Sequence, residues 1–212
     1  MTDATRLPTT GRGRFIAFEG GEGCGKSTQA KRLAADLDAV LTREPGGTAV
    51  GAALRAILLD RSTTGLSPRA EALLMAADRA QHVNEVVEPA LAAGRHVVTD
   101  RFAGSSIAYQ GYGRGLDPEE VRRISEWACA GVWPDLVVLL DLDPTVAAGR
   151  VGPAPDRFEE EGAAFHDRVA AGFRAQAEAE PDGWVVVDAS GTVAEVAEAV
   201  RVVVRERLQL GA

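Results

Sequence analysis

Cysteine is scarce in this chain, which carries only Cys24 and Cys129. Two cysteines cannot staple a disulfide-built scaffold, and these two lack the paired spacing of a metal site. A reducing, cytoplasmic setting is therefore expected. Lysine is as rare: Lys26 and Lys31 are the two present, and the rest of the 23 basic residues are arginine. Positive charge is in deficit, because those 23 face 31 Asp and Glu, a formal net charge of −8. That balance weighs against a broad surface for nucleic acid, while leaving room for a local basic site. No run of about 18 apolar residues occurs, so no membrane span is expected. The N-terminus lacks the apolar stretch of a signal peptide and reads as a flexible tail over 1–13.

What remains is an ordinary globular composition, 46% hydrophobic and 25% charged over 212 residues. The length fits one domain, here 14–210, with a core large enough to need neither disulfides nor a structural metal. Short apolar runs at Arg14 to Glu19, Ala39 to Thr42, His96 to Thr99, Leu136 to Leu142 and Trp184 to Val187 read as strands. Helical spacing fills Ser27 to Leu37, Val50 to Leu59, Pro68 to about Leu91, the segment from Asp117, and Thr192 to Leu208. A short helix runs from Asp143 toward Arg150, and a long one from Glu159 to Ala179 with an acidic first turn. Ser67-Pro68 with Glu71 is a helix start, and Asp117-Pro118-Glu119-Glu120 is another, with a capping-box acid. The helix after Asp117 carries Val121, Ile124, Trp127 and Ala128 at three-to-four spacing. Val151 to Pro155 reads as a mobile Gly/Pro loop. This alternation predicts a three-layer α/β fold around a mostly parallel sheet. Ligands in such folds gather beyond the C-terminal ends of strands, where Glu19, Arg43, Asp100 and Asp141 stand.

Gly20-Gly21-Glu22-Gly23-Cys24-Gly25-Lys26-Ser27 matches the phosphate-loop pattern G-x-x-x-x-G-K-S/T between a strand and a helix. Closely spaced glycines let backbone N–H groups curve around an anion. The helix start adds unpaired N–H groups, Thr28 among its first residues. Lys26 can reach the β- and γ-phosphates, and Ser27 can hold Mg²⁺. ATP or GTP is the expected ligand, but the motif does not set the reaction. Cys24 sits where a helix N-terminus lowers a thiol pKa; no base stands at the right spacing, so it reads as a small loop filler.

A hydrolytic ATPase needs one phosphate site and a water, whereas a kinase also needs an acceptor site. Candidates for such a site recur along the chain. Thr42 to Gly47 puts Arg43 and Glu44 at the end of the second strand, then breaks at Pro45. Arg55 lies on the next helix, and Met75, Asp78 and Arg79 lie deep in the Pro68 helix. Asp100-Arg101 ends the third strand, with Ser105, Ser106, Tyr109 and Gln110 close behind. Asp100 suits Mg²⁺, and Arg43, Arg55 and Arg101 suit an acceptor phosphate. Arg150 and Arg157 border the Gly/Pro loop. Its closure over ATP would expel water and strengthen arginine–phosphate attraction.

At this point the residues resemble those of the thymidylate kinase family, bacterial branch, from Phe15 to about Leu208. The specific segments are Thr42 to Thr48 (TREPGGT), Asp100 to Gln110 (DRFAGSSIAYQ), Asp156-Arg157-Phe158-Glu159, and Phe165-His166 with Arg168-Val169. The resemblance implies a three-layer α/β fold of the P-loop nucleoside-monophosphate-kinase type, with a parallel five-stranded sheet and a short lid at 150–158. It implies ATP as donor, Mg²⁺, dTMP as acceptor with dTDP as product, and a homodimer. Glu22 then lies near the acceptor's 3′-hydroxyl and the transfer site. Arg101 and Arg55 hold the dTMP phosphate, Arg79 contacts the thymine edge, and Ser106 sits near the base. Tyr109 packs beside the sugar, where a 2′-hydroxyl would be crowded. Glu44-Pro45 resembles a segment in which a cis proline shapes the pocket, and Asp100 an acid near Mg²⁺.

Three departures stand out. Met75 replaces a phenylalanine that usually stacks on thymine; methionine is polarizable and can still lie on a ring. The Leu37-Asp38-Ala39 link is short. The lid is short and poor in base, and the phosphate loop carries no arginine, so Arg150 and Arg157 are left to supply transition-state charge. Two alternatives remain at this level: another small kinase of the same fold, or a regulatory P-loop ATPase or GTPase acting as a binding switch. The GTP-reading pattern Asn-Lys-x-Asp is absent. Leu73, Leu74, Ala77 and the neighbours of His82 form a candidate dimer stripe that serves equally as core.

Overall fold

A computed structural model describes residues 11–150 and 156–210. Residues 1–10 of the expected tail and the expected mobile loop at 151–155 lie outside the described residues. Strands β1 (Phe15–Glu19), β2 (Val40–Arg43), β3 (Val97–Asp100), β4 (Leu136–Asp141) and β5 (Trp184–Asp188) form one sheet in the order β2-β3-β1-β4-β5. Every pairing is parallel. The described helices are α1 (Lys26–Asp36), α2 (Ala49–Leu59), α3 (Pro68–His82), α4 (Glu88–Ala92), α5 (Ala103–Ser106), α6 (Pro118–Cys129), α7 (Pro144–Ala148), α8 (Ala163–Ala179) and α9 (Val193–Leu208), with two π-helical stretches beside them.

The period-two geometry of strands divides the core. Phe15, Ala17, Val137 and Leu139 face a layer holding Phe102, Phe165 and Phe173. Ile16, Phe18, Val138 and Leu140 face the opposite layer, with Leu33 of α1 and Val196, Val200 and Val204 of α9. Both faces of β1 are covered, so all five of its residues are buried. Parallel register then sets Arg43 opposite Asp100, and Asp100 opposite Phe18, at the C-terminal edge of the sheet. Asp38, at φ 49°, turns the short link from α1 into β2. The expected starts of α3 and α6 are present: Ser67 caps Ala70 N–H and Asp117 caps Glu119 N–H, each before a proline. The reciprocal capping box belongs to Thr192 and Glu195 at α9.

Several expectations need correction. The Pro68 helix does reach Ala92, but Val83–Val87 forms a π turn within it. Pro89 follows and cannot donate to the carbonyl four residues back, so the ladder widens there. Between Asp100 and Asp117, where the sequence reading assigned no element, the chain is helical, as α5 and a second π stretch, Ile107–Gly113. Its serines, glycines and tyrosines are weak helix formers, which hid it. Helix α8 starts at Ala163 rather than Glu159, because Asp156 Oδ1 accepts from Phe158 and Glu159 N–H and closes a separate turn. Trp127 leaves the buried stripe of α6 and is 84% exposed, whereas Ser125 is buried. Gly13, assigned to the tail, is buried and donates to Leu91 O at 3.0 Å. Among the described residues, no helix is long and apolar enough to cross a membrane.

Candidate active site

A cleft of about 420 Å³ opens at the C-terminal ends of β1, β2 and β3. One wall is the glycine loop between β1 and α1. Glycine is required there for contact as well as curvature. A Cβ on Gly20 would lie 2.6 Å from Leu140 O, and one on Gly23, at φ +73°, would lie 2.4 Å from Ala147 O. Lys26 folds back over the loop and donates to Gly21 O at 2.6 Å. Glu22, Gly23, Gly25, Lys26, Ser27 and Thr28 line the cleft, whereas Gly20, Gly21 and Cys24 do not. Cys24 is buried beneath the loop, its Sγ 3.6 Å from Lys26 Nζ. Ser27 Oγ donates to Asp100 Oδ2, and Asp100 Oδ1 is buried without a protein partner.

Arg101 joins this loop to the opposite wall. Its backbone is left-handed, at φ 71°, and its N–H donates to Phe18 O at 2.9 Å. One side-chain nitrogen, Nη1, donates to Gly20 O at 3.1 Å and to Ser105 Oγ at 3.0 Å. The other, Nη2, meets Glu22 Oε1 at 2.5 Å and Tyr109 OH at 3.2 Å. Tyr109 OH itself donates to Glu22 Oε1 at 2.9 Å. Burial alone would raise the Glu22 pKa, but Arg101 and Lys26 overcome it and hold the carboxyl down at about 2. Burial raises the Tyr109 phenol well above its usual range. Behind this group stands Glu19, fully buried, accepting from Phe102 N–H at 3.0 Å and Ser105 N–H at 2.9 Å. Burial lifts its pKa to about 7, against the opposing pull of Ser105 and Arg101.

The far wall is built on β2, α2 and α3. The Glu44–Pro45 peptide is cis. Arg55 Nη1 donates to Pro45 O at 2.8 Å, and Gly46 N–H donates to Asp78 Oδ1 at 2.9 Å. Arg79 is 2% exposed and fixed on several sides. Its Nη2 lies 3.0 Å from Glu44 Oε2 and donates to Ser106 Oγ at 3.0 Å, while Nη1 donates to Ser125 Oγ at 3.2 Å. His82, fully buried, bridges Thr42 Oγ1 at 2.7 Å and Glu44 Oε1 at 2.8 Å. Among the described residues, Arg43 and Arg55 have no carboxylate within ion-pair distance. Burial, then the charge of Arg43, lowers the Arg55 pKa. Cations at the mouth of a cleft with no carboxylate in ion-pair contact suit an anion.

Of the residues expected from sequence, Arg43, Pro45, Arg55, Met75, Arg79, Asp100, Arg101, Ser105, Ser106, Tyr109 and Gln110 line this one cleft, as does Arg150. Arg157 does not. Its Nε donates to Leu58 O at 2.9 Å, its Nη2 lies 2.7 Å from Glu71 Oε2, and its guanidinium covers the Phe158 ring at 4.7 Å. Sequence reasoning gave no functional part to Glu71, His82 or Ser125. A signal existed: Glu71, Asp78, Arg79 and His82 occupy the phase of α3 that an amphipathic helix buries.

The chain matches the family model described as thymidylate kinase over residues 18–200. It is 53% identical to the thymidylate kinase of Solidesulfovibrio magneticus, across 88% of this chain and 96% of that one. It is also 53% identical to the thymidylate kinase of Leifsonia xyli subsp. xyli, across 92% and 96% respectively. The crystal structure of thymidylate kinase from Ehrlichia chaffeensis superposes with a TM-score of 0.77 at 30% identity, covering 91% of this chain and 99% of that one.

Proposed function

This chain belongs to the thymidylate kinase family, and from that premise we propose how its cleft works. The enzyme transfers a phosphoryl group from a nucleotide to dTMP. We assign ATP as the donor, with ADP and dTDP as products. The observation that carries the assignment of sides is Arg101, whose one guanidinium bonds Gly20 and Glu22 of the phosphate loop and Ser105 and Tyr109 of the facing helix. A cation shared by both walls stands where donor and acceptor phosphates must meet.

Transfer is an in-line attack by a dTMP phosphate oxygen on the γ-phosphorus of ATP. That oxygen is already anionic and needs no strong base. Glu22, with a pKa near 2, is a poor proton acceptor at neutral pH. Its part is to hold Arg101 and Tyr109. Lys26 exchanges the Gly21 carbonyl for donor phosphate, and the N–H groups of Gly20 to Thr28 cradle the same anion. Ser27 and Asp100 would hold Mg²⁺. One hydroxyl plus one carboxylate with a free buried oxygen fits an ion that takes most of its ligands from phosphate and water. Mg²⁺, when bound, neutralises charge on the transferring phosphates. Arg55, Arg43 and Arg101 take the dTMP phosphate, the fixed Arg79 with Ser106 takes the base edge, Met75 lies on the ring, and Tyr109 crowds the 2′ position. Arg150 lines the cleft and supplies charge to the transition state.

The same reading treats 14–210 as one kinase domain with a lid at 150–158, in the cytoplasm. It pairs two copies through α2, α3 and α6, where Ile57, Leu73 and Trp127 are exposed. The test of the site is Arg101→Met. It should weaken dTMP binding at least about thirtyfold, the loss of a charge-assisted contact, and weaken dTMP binding more than ATP binding. Unchanged dTMP affinity in the folded variant would refute the assignment.

A further inference from the structure

Glu71 takes no part in the chemistry above, yet it is a carboxylate only 1% exposed in the first turn of α3. Three side chains converge on it. Gln110 Nε2 donates to Oε1 at 2.9 Å, Arg114 Nε donates to the same oxygen at 3.2 Å, and Arg157 Nη2 lies 2.7 Å from Oε2. A carboxylate ion-paired to two guanidiniums only accepts hydrogen bonds. The Gln110 amide therefore has one orientation at this position, with its NH₂ toward Glu71 and its carbonyl turned away. Gln110 lines the cleft with Arg79 and Ser106, is 1% exposed, and its Oε1 is buried with no protein donor. An unpaired buried carbonyl in the wall of the cleft is placed to accept from a bound ligand.

We propose that Glu71 is a positioning residue for base selection: it locks the Gln110 carbonyl as an acceptor, so that the incoming base must bring a ring N–H. This rests on the thymidylate reading. Thymine N3 carries a hydrogen, whereas cytosine N3 is a bare acceptor. The locked oxygen pairs with the first and repels the second. Without Glu71 the amide can rotate and offer its NH₂ to cytosine. A site built to bond one edge discriminates through the polar groups it leaves unpaired with the other.

The test compares calorimetric dissociation constants of dTMP and 5-methyl-dCMP, which share the methyl group and differ only along the pairing edge. Glu71→Gln removes the charge. Glu71→Asp keeps the charge for Arg114 and Arg157 but withdraws it from the amide, so it decides the matter if the first variant fails to fold. Both should narrow the preference for dTMP at least about tenfold. In a Gln110→Met background, Glu71→Asp should change the preference by less than about twofold. A parallel weakening of both ligands, with the ratio kept, would reduce Glu71 to a structural role and overturn the proposal. Wild-type protein that binds neither ligand would instead overturn the thymidylate reading.

Discussion

Glu19 offers a quantitative test of the electrostatics beneath the site. It is fully buried at the end of β1, and its carboxyl accepts from Phe102 N–H, Ser105 N–H and Ser105 Oγ–H. Burial lifts its pKa from 4.5 to about 7, more than Ser105 and Arg101 lower it. At about 1.4 kcal/mol per unit, full ionisation in the fold costs on the order of 3 kcal/mol. Between those two values the folded protein holds a proton that the unfolded chain releases. The contribution of Glu19 to stability therefore falls as pH rises through that window. Glu19→Gln keeps the acceptor oxygen for both N–H groups and is neutral throughout. Relative to wild type, the variant should gain roughly 2–3 kcal/mol between about pH 5 and about pH 8. Urea unfolding of both proteins at the two pH values measures this, and other titrating groups cancel in the comparison. A difference that stays constant within about 0.5 kcal/mol would show that Glu19 is not held protonated by burial.

Three further predictions concern the site. Arg150→Ala should lower kcat by about 100-fold with little change in dTMP affinity, the signature of a contact made in the transition state. Arg157→Ala should act differently, destabilising the fold by about 3 kcal/mol because buried Glu71 keeps only one of its two guanidiniums, seen as a lower Tm. A normal Tm with kcat down about 100-fold would return Arg157 to the transferring phosphoryl group. Met75→Phe should preserve or tighten dTMP binding; a loss beyond about tenfold would mean that the base does not lie on residue 75.

Much of this was legible in the sequence because one physical rule generates each part. A parallel sheet covered on both faces needs near-continuous apolar strands, and Leu136 to Leu140 is one. The polar residues that end those strands, Glu19, Arg43 and Asp100, then had to meet at one edge. The phosphate loop was legible because few other sequences let a backbone curve around an anion. Less legible were the elements set by tertiary contact. The π stretch at Ile107–Gly113 carries Tyr109 and Gln110 inward, yet its composition favours no helix. Arg157 looked catalytic because it borders a loop beside a phosphate site. In the structure the buried Glu71, 86 positions earlier in the chain, holds it together with the Leu58 carbonyl. Trp127 shows the converse: its spacing fits the core stripe, but Ser125 occupies the buried phase in order to hold Arg79.

The acceptor is identified most directly by its product. Product formation from Mg-ATP should be followed with dTMP, dUMP, UMP, CMP, AMP, GMP, thymidine and no acceptor, each product being identified in the same samples. Turnover should depend on dTMP and yield dTDP and ADP in equal amounts. A preference for another acceptor would contradict the roles given to Arg79, Ser106 and Met75, and ADP formed equally without any acceptor would contradict the kinase itself.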